Sequence, residues 1–135
     1  MRAAPTICGH AMLESSDLVA FVAATDLDRA RVFYEQTLGL RVLERSDFAV
    51  VLDANGTMLR VTAVGQVAHA GYTVLGWRVR DIAASARALA AQGVTFLRFE
   101  DMSQDDDGIW TTPSGDKVAW FADPDGNTLS LTQFG

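Results

Sequence analysis

Apolar and polar positions along this chain follow a pattern that occurs twice. Leu18 to Ala24 is an apolar run ending just before Asp26, and Leu75 to Val79 is a mostly apolar run ending before Asp81. Runs of this length predict strands. Each is followed by apolar residues at helical spacing. Ala30, Phe33, Thr37 and Leu38 fall on one face of the first helix, and Ile82, Ala86 and Leu89 on one face of the second. Asp26 and Asp81 stand where a short carboxylate caps a helix start, and Gly39 and Gly93 where glycine closes a helix end.

Two turns then align without gaps. Asp53-Ala54-Asn55-Gly56-Thr57-Met58-Leu59-Arg60-Val61 matches Asp123-Pro124-Asp125-Gly126-Asn127-Thr128-Leu129-Ser130-Leu131. Asn-Gly and Asp-Gly between apolar runs are hairpin signals. Each half therefore reads strand, helix and three strands, βαβββ. The halves differ in length: 27 positions separate Asp26 from Asp53 and 42 separate Asp81 from Asp123, so the second half carries 15 more. The extra residues fall between predicted strands Val94–Phe99 and Lys117–Ala122, as an inserted loop over about 100–116. The loop holds Trp110 and the acid run Asp105-Asp106-Asp107. That run lacks the spaced ligands and bidentate Glu of an EF-hand loop and reads as a solvated face.

Composition narrows the class. With 135 residues, 49% hydrophobic and 21% charged, the chain suits one globular domain with a sizeable core. The expected division is an N-terminal extension, 1–16, and a single domain, 17–134, with modules at about 17–64 and 71–134. A net charge of −6 argues against a phosphate-backbone binder, so no nucleic acid partner is expected. No apolar run approaches a membrane span, so no membrane partner is expected either, and the default location is the cytoplasm. The single cysteine, Cys8, excludes an intrachain disulfide and a multi-cysteine zinc site. Two histidines, His10 and His69, leave little room for histidine-rich metal chemistry.

The repeat resembles the vicinal-oxygen-chelate superfamily: glyoxalase I, bleomycin-resistance proteins and extradiol dioxygenases. The matching pieces are Thr25-Asp26-Leu27-Asp28-Arg29-Ala30-Arg31, Phe33-Tyr34, Leu38-Gly39-Leu40 and Asp123-Pro124-Asp125-Gly126-Asn127, and the likeness spans about 17–134. The resemblance implies an α+β fold. Two βαβββ modules in one chain form curved mixed sheets around a cavity, with helices on the convex side. It also implies a homodimer, with cavities placed in many members at the interface. Metal-dependent members bind a divalent cation through inward side chains of the first and last strands of each module. The implied ligand positions are seven before each helix-capping Asp, which are Val19 and Val74. The others are three after Asn127, which is Ser130, and its repeat equivalent, Arg60. Two valines, a guanidinium and a hydroxyl do not make a divalent site, which calls for imidazole or carboxylate. No metal and no cofactor are therefore expected.

Strand alternation then assigns faces. Val19, Phe21 and Ala23 point inward, as do Tyr72, Val74, Gly76 and Arg78. Met58, Arg60 and Thr62 follow, with Thr128, Ser130 and Thr132. Val118 and Trp120 face the cavity, while Ala119 and Phe121 are core. The expected ligand-binding set is Val19, Phe21, Arg60, Val74, Arg78, Trp110, Trp120 and Ser130. Phe21 and Trp120 are placed to stack on a planar ligand. Arg60 and Arg78 carry forks suited to a carboxylate or phosphate, and an internal ion pair is the competing use of each. Trp110 either caps the pocket or buries between copies. Trp77 reads as core. These residues favour a metal-independent binding protein for a small organic molecule, aromatic in part. The alternatives are a glyoxalase-like lyase, isomerase or dioxygenase, which needs a metal or an acid–base pair, and a protein-interaction subunit using its sheet edges and inserted loop.

Overall fold

The computed structural model describes residues 12–135; Cys8, His10 and most of the expected N-terminal extension lie outside them. Two four-stranded mixed sheets carry the chain. The first holds β1 (Val19–Ala24), β2 (Arg41–Arg45), β3 (Ala49–Ala54) and β4 (Thr57–Ala63) in the order β1-β4-β3-β2. The second holds β5 (Leu75–Arg78), β6 (Trp110–Thr111), β7 (Lys117–Ala122) and β8 (Thr128–Gln133) in the order β5-β8-β7-β6. In both, the first and last strands of the module lie side by side and parallel, while the remaining pairs are antiparallel. The duplication is thus structural as well as sequential, and the fold is the expected α+β pair of modules.

Period-two burial divides each sheet. Val22, Ala24, Leu59 and Val61 of the first sheet are buried, as are Ala119, Phe121, Leu129 and Leu131 of the second. They meet Leu27, Ala30 and Tyr34 from the first helical segment and Ile82 and Ala86 from the second in one core. Each large apolar side chain fully buried there contributes about 1.5–3 kcal/mol relative to exposure. The helices therefore cover one face of each sheet and leave the other open.

Both helices start as the sequence requires. The Asp26 carboxylate accepts from Arg29 N at 3.1 Å, and that of Asp81 from Ala84 N at 3.1 Å. α2 (Ile82–Ala91) is regular. α1 (Leu27–Arg31) is short and continues as a π-helical turn, Val32–Thr37. Within it Leu38 N donates to Phe33 O, five residues back. Ala30 is buried and Phe33 and Leu38 pack against the core, as their spacing predicts, and the wider turn adds Tyr34, at 0% exposure.

Tyr34 reaches across to the other module. Its hydroxyl donates to Asp123 Oδ2 at 2.7 Å. Asn127 Nδ2 donates to the same oxygen and to Ala23 O of β1, each at 2.8 Å. Asp123 Oδ1 accepts from Asp125 N and Asn127 N. The Asp125 carboxylate accepts from Thr25 N, the Thr25 hydroxyl and Arg29. The turn between β7 and β8 is therefore the fastener between modules.

One expectation needs correction in the second module. Val94–Phe99 is not a strand: it makes a single bridge, Phe96 to Phe121. The fourth strand of the sheet is β6, from within the insertion, which pairs Trp110 with Val118 and Thr111 with Lys117. Two short pieces share the edge of β7, and the chain between them loops outward. Glu100, Asp101, Asp105 and Asp106 are exposed, as a solvated face requires, but the loop also carries internal hydrogen bonds. Gln104 accepts from Phe99 N and donates to Leu97 O and Gly108 O. Asp105 Oδ1 accepts from Asp107 N and Ile109 N, and Asp107 pairs with Arg87 at 3.1 Å. Ile109 is buried in the core. Asp105 and Asp107 thus help to build the loop, while Asp106 presents its side chain to solvent.

Burial, with Asp123 beside it, pushes the Tyr34 hydroxyl well above the ordinary tyrosine range. Tyr34 keeps its proton when folded, whereas in the unfolded chain it ionises near pH 10. Its contribution is present below that pH and falls above it, by about 1.4 kcal/mol per pH unit. Tyr34→Phe is expected to cost about 1–3 kcal/mol in urea unfolding at pH 7, because the Asp123 carboxylate loses a buried donor. The deficit should narrow between pH 10 and 11; a constant deficit would show that Tyr34 ionises equally in both states.

Candidate functional site

The open faces carry the residues expected at a site. In the first sheet Phe21 lies opposite Arg60 and Val19 opposite Met58. Phe21 is 61% exposed, and Val19 and Met58 are also open to solvent. In the second sheet Gly76 lies opposite Ser130, and Val74 N donates to Thr128 O. Val19 and Arg60 are therefore related across their strand pair as Val74 and Ser130 are across theirs. The four positions implied for metal ligands are structurally equivalent, and all belong to the open faces. The residues do not fit a divalent cation. The valines have no donor atom, and Arg60 carries positive charge to the spot. Among the described residues no three His, Cys, Asp or Glu side chains come together in a way that could hold a metal ion. His69 is committed elsewhere: its Nε2 lies 3.0 Å from Asp125 O, in the inter-module turn.

The second sheet gathers most of the expected ligand residues. Trp110 and Trp120 have ring centroids 6.2 Å apart at 31°. Phe99 meets Trp120 edge to face at 5.4 Å. Trp120 pairs with Ser130 in the β7–β8 ladder. Beside this cluster is a cleft of about 330 Å³ lined by Tyr72, Leu97, Phe99, Met102, Trp120 and Thr128, with Gly71 at its end. Its volume is at the lower end for small-molecule sites, and its walls are apolar and aromatic as such sites require. Ser130 sits in the same face but is only 5% exposed. Its Oγ occupies the space a side chain at Gly76 would need: a Cβ there would lie 2.8 Å away.

The remaining expected residues belong to other parts of the two sheets. Val19, Phe21 and Arg60 lie in the first sheet, which shares no ladder with the second. Arg78 is at the end of β5 with its guanidinium 5.3 Å over the Phe134 ring. Trp77 packs against the core, as expected. Phe99, Leu97 and Met102 were not legible as site residues, because only the folded path of the insertion brings them back over β7. The one sequence signal was Phe99, a large apolar residue where a polar loop begins.

The family model described as Glyoxalase/Bleomycin resistance protein/Dioxygenase superfamily matches residues 9–131. The chain belongs to this superfamily. No curated protein matches it. Among solved structures, a member of the same superfamily from Sphaerobacter thermophilus DSM 20745 is 25% identical, with a TM-score of 0.69 over 88% of this chain and 97% of that one. TioX from Micromonospora sp. ML1 is 24% identical, with a TM-score of 0.68 over 90% and 100%. A lactoylglutathione lyase from Agrobacterium tumefaciens is 17% identical, with a TM-score of 0.65 over 88% and 93%. At these identities the last two share the fold.

The close approach of β5 and β8 gives a direct test. Gly76→Ala is expected to cost about 1–3 kcal/mol in denaturant unfolding, because the new methyl overlaps Ser130 Oγ. In a Ser130→Gly background the same change should cost clearly less, a coupling that a double-mutant cycle reads directly. Equal costs in both backgrounds would mean that Ser130 is not what excludes a side chain at 76.

Proposed function

We propose that this protein binds a small, partly aromatic organic molecule over the open face of its second sheet, without a metal. The observation that carries this reading is the Phe99, Trp110 and Trp120 cluster bordering an apolar cleft. A planar ligand entering there gains aromatic contact area and stacking of about 0.5–1.5 kcal/mol per ring pair beyond its burial. Thr128 and Tyr72, which line the cleft, carry the hydroxyl groups that can orient it. Metal independence is supported by the chemistry of Val19, Arg60, Val74 and Ser130, which offers no donor set for a divalent ion.

The open face of the first sheet extends the proposal. Val19, Phe21 and Met58 form an exposed apolar strip with Arg60 beside it. Exposed apolar patches of this kind mark surfaces that become covered. A second copy of the chain, placing this strip over the cleft of its partner, would bring Phe21 and Arg60 to the ligand. The homodimer is thus part of the proposed site, and it would unite the two residue groups that one chain holds apart.

Two measurements test the reading. A panel of planar aromatic compounds, acridine among them, is expected to quench tryptophan fluorescence. Trp120→Ala should weaken binding by tenfold or more, roughly what losing one well-stacked ring and its burial implies. Sedimentation should give a dimer that Phe21→Glu disrupts, with ligand affinity falling in step. Retention of one zinc, nickel, manganese or iron per chain after desalting would overturn metal independence. A compact monomer that binds ligand with full affinity would overturn the shared site.

A further inference from the structure

A second cavity lies on the opposite side of the second sheet, between the modules. It holds about 300 Å³. Trp77 and Leu131 belong to its floor, Leu38 and Leu40 to one wall, and Ala88 and Leu89 of α2 to the other. Gly39, at φ +80°, makes the left-handed turn between Leu38 and Leu40. The small side chains of α2 leave the groove open. At Arg78 and Val79 it runs on into a more polar depression lined by Arg80, Gln133 and Phe134.

Two arginines meet at this end. Arg29, Arg31, Arg45 and Arg87 each pair with a carboxylate, and Arg98 donates to two backbone carbonyls. Arg41 lies 4.0 Å from Asp53. Among the described residues Arg60, Arg78 and Arg80 have neither a carboxylate nor a hydrogen-bond acceptor, and of these Arg78 and Arg80 line one depression; Arg78 has the Phe134 ring. The nearby Asp81 carboxylate is committed to the first turn of α2, and Gln133 Oε1 accepts from Ile82 N. In a chain of net charge −6, two guanidinium groups without a carboxylate partner line the depression at the end of β5, which adjoins the apolar groove at Arg78 and Val79.

We propose that this groove is a second ligand site, separate from the aromatic cleft, for an amphiphile with a hydrocarbon body and a carboxylate head. The body lies between Leu38, Leu40 and α2 against Trp77, where apolar area leaves water. The head lies at Arg78 and Arg80, whose forked donors match a carboxylate. A neutral body fills the groove but leaves both guanidinium groups unpaired, and a cationic head is repelled.

The test uses decanoate with the full-length protein, followed by calorimetry and by NMR of labelled leucine methyl groups. Decanoate is expected to bind at one site per chain, to shift Leu38, Leu40, Leu89 and Leu131, and to leave Leu97 of the aromatic cleft unmoved. Decanol should bind about tenfold more weakly or worse. Ala88→Phe, at an exposed helix position, should fill the groove and abolish decanoate binding while leaving acridine quenching intact. Arg80→Gln should weaken binding about threefold to tenfold and flatten its salt dependence. The proposal fails if decanoate does not bind. It also fails if decanol binds equally well, if Leu97 moves in place of Leu38 and Leu40, or if both variants bind as the wild type does.

Discussion

A single carboxylate, that of Asp123, sets how the two modules meet. One oxygen is held by two backbone amides of its own turn. The other takes the Tyr34 hydroxyl from the first module and Asn127 from its own turn. A buried carboxylate is tolerable only when its oxygens are met by donors, and removing a donor leaves a desolvated charge. The arrangement is therefore closely specified. Tyr34 must enter the core, the first helix must adopt the wider turn there, and the hairpin of the second module must sit against β1. The apolar core pulls the modules together without direction, and this network supplies the direction.

Much of the architecture was legible in the residues. The two capping aspartates, the Asn-Gly and Asp-Gly turns and the alternation along β1, β5, β7 and β8 identify the repeat and assign each strand its faces. All of these are local signals, written within a few residues of where they act. The features that were not legible depend on distant partners. Nothing within the first helical segment marks Tyr34 as core, because its burial follows from an acceptor 89 residues away. Nothing near Val94–Phe99 says that its place beside β7 is shared with Trp110–Thr111. Alternation assigns residues such as Phe21, Arg60 and Trp120 to a face of their strand. How they group is not written locally, because sheet pairing rather than sequence order decides that Trp110 joins Trp120 while Phe21 joins Arg60.

Each sheet divides its labour between its two faces. Residues of one parity along a strand bury against the helices and hold the fold together. Residues of the other parity face outward and are free to be chosen for chemistry. Val19, Arg60, Val74 and Ser130 fall in this second class, which explains how positions suited to metal ligands can carry valine or arginine while the fold stays intact. Gly76 is the exception, since its missing side chain is what lets Ser130 sit where it does.

The split edge beside β7 has a consequence for how the binding surface can diversify. The loop leaves the sheet near Phe96 and returns at Trp110, with Ile109 anchoring the return in the core, so both ends are fixed and no ladder runs through the chain at 99–103. Lengthening such a segment adds little closure entropy, about 0.6 kcal/mol for a doubling. The same segment delivers Phe99 and Met102 to the cleft. Between Phe99 and Gln104, ahead of the residues that bond the loop together and of Ile109 in the core, residues can thus be inserted or exchanged at small cost to the scaffold, and each change redraws a wall of the cleft. The molecule keeps its most rewritable stretch of chain at the place where selectivity would be decided.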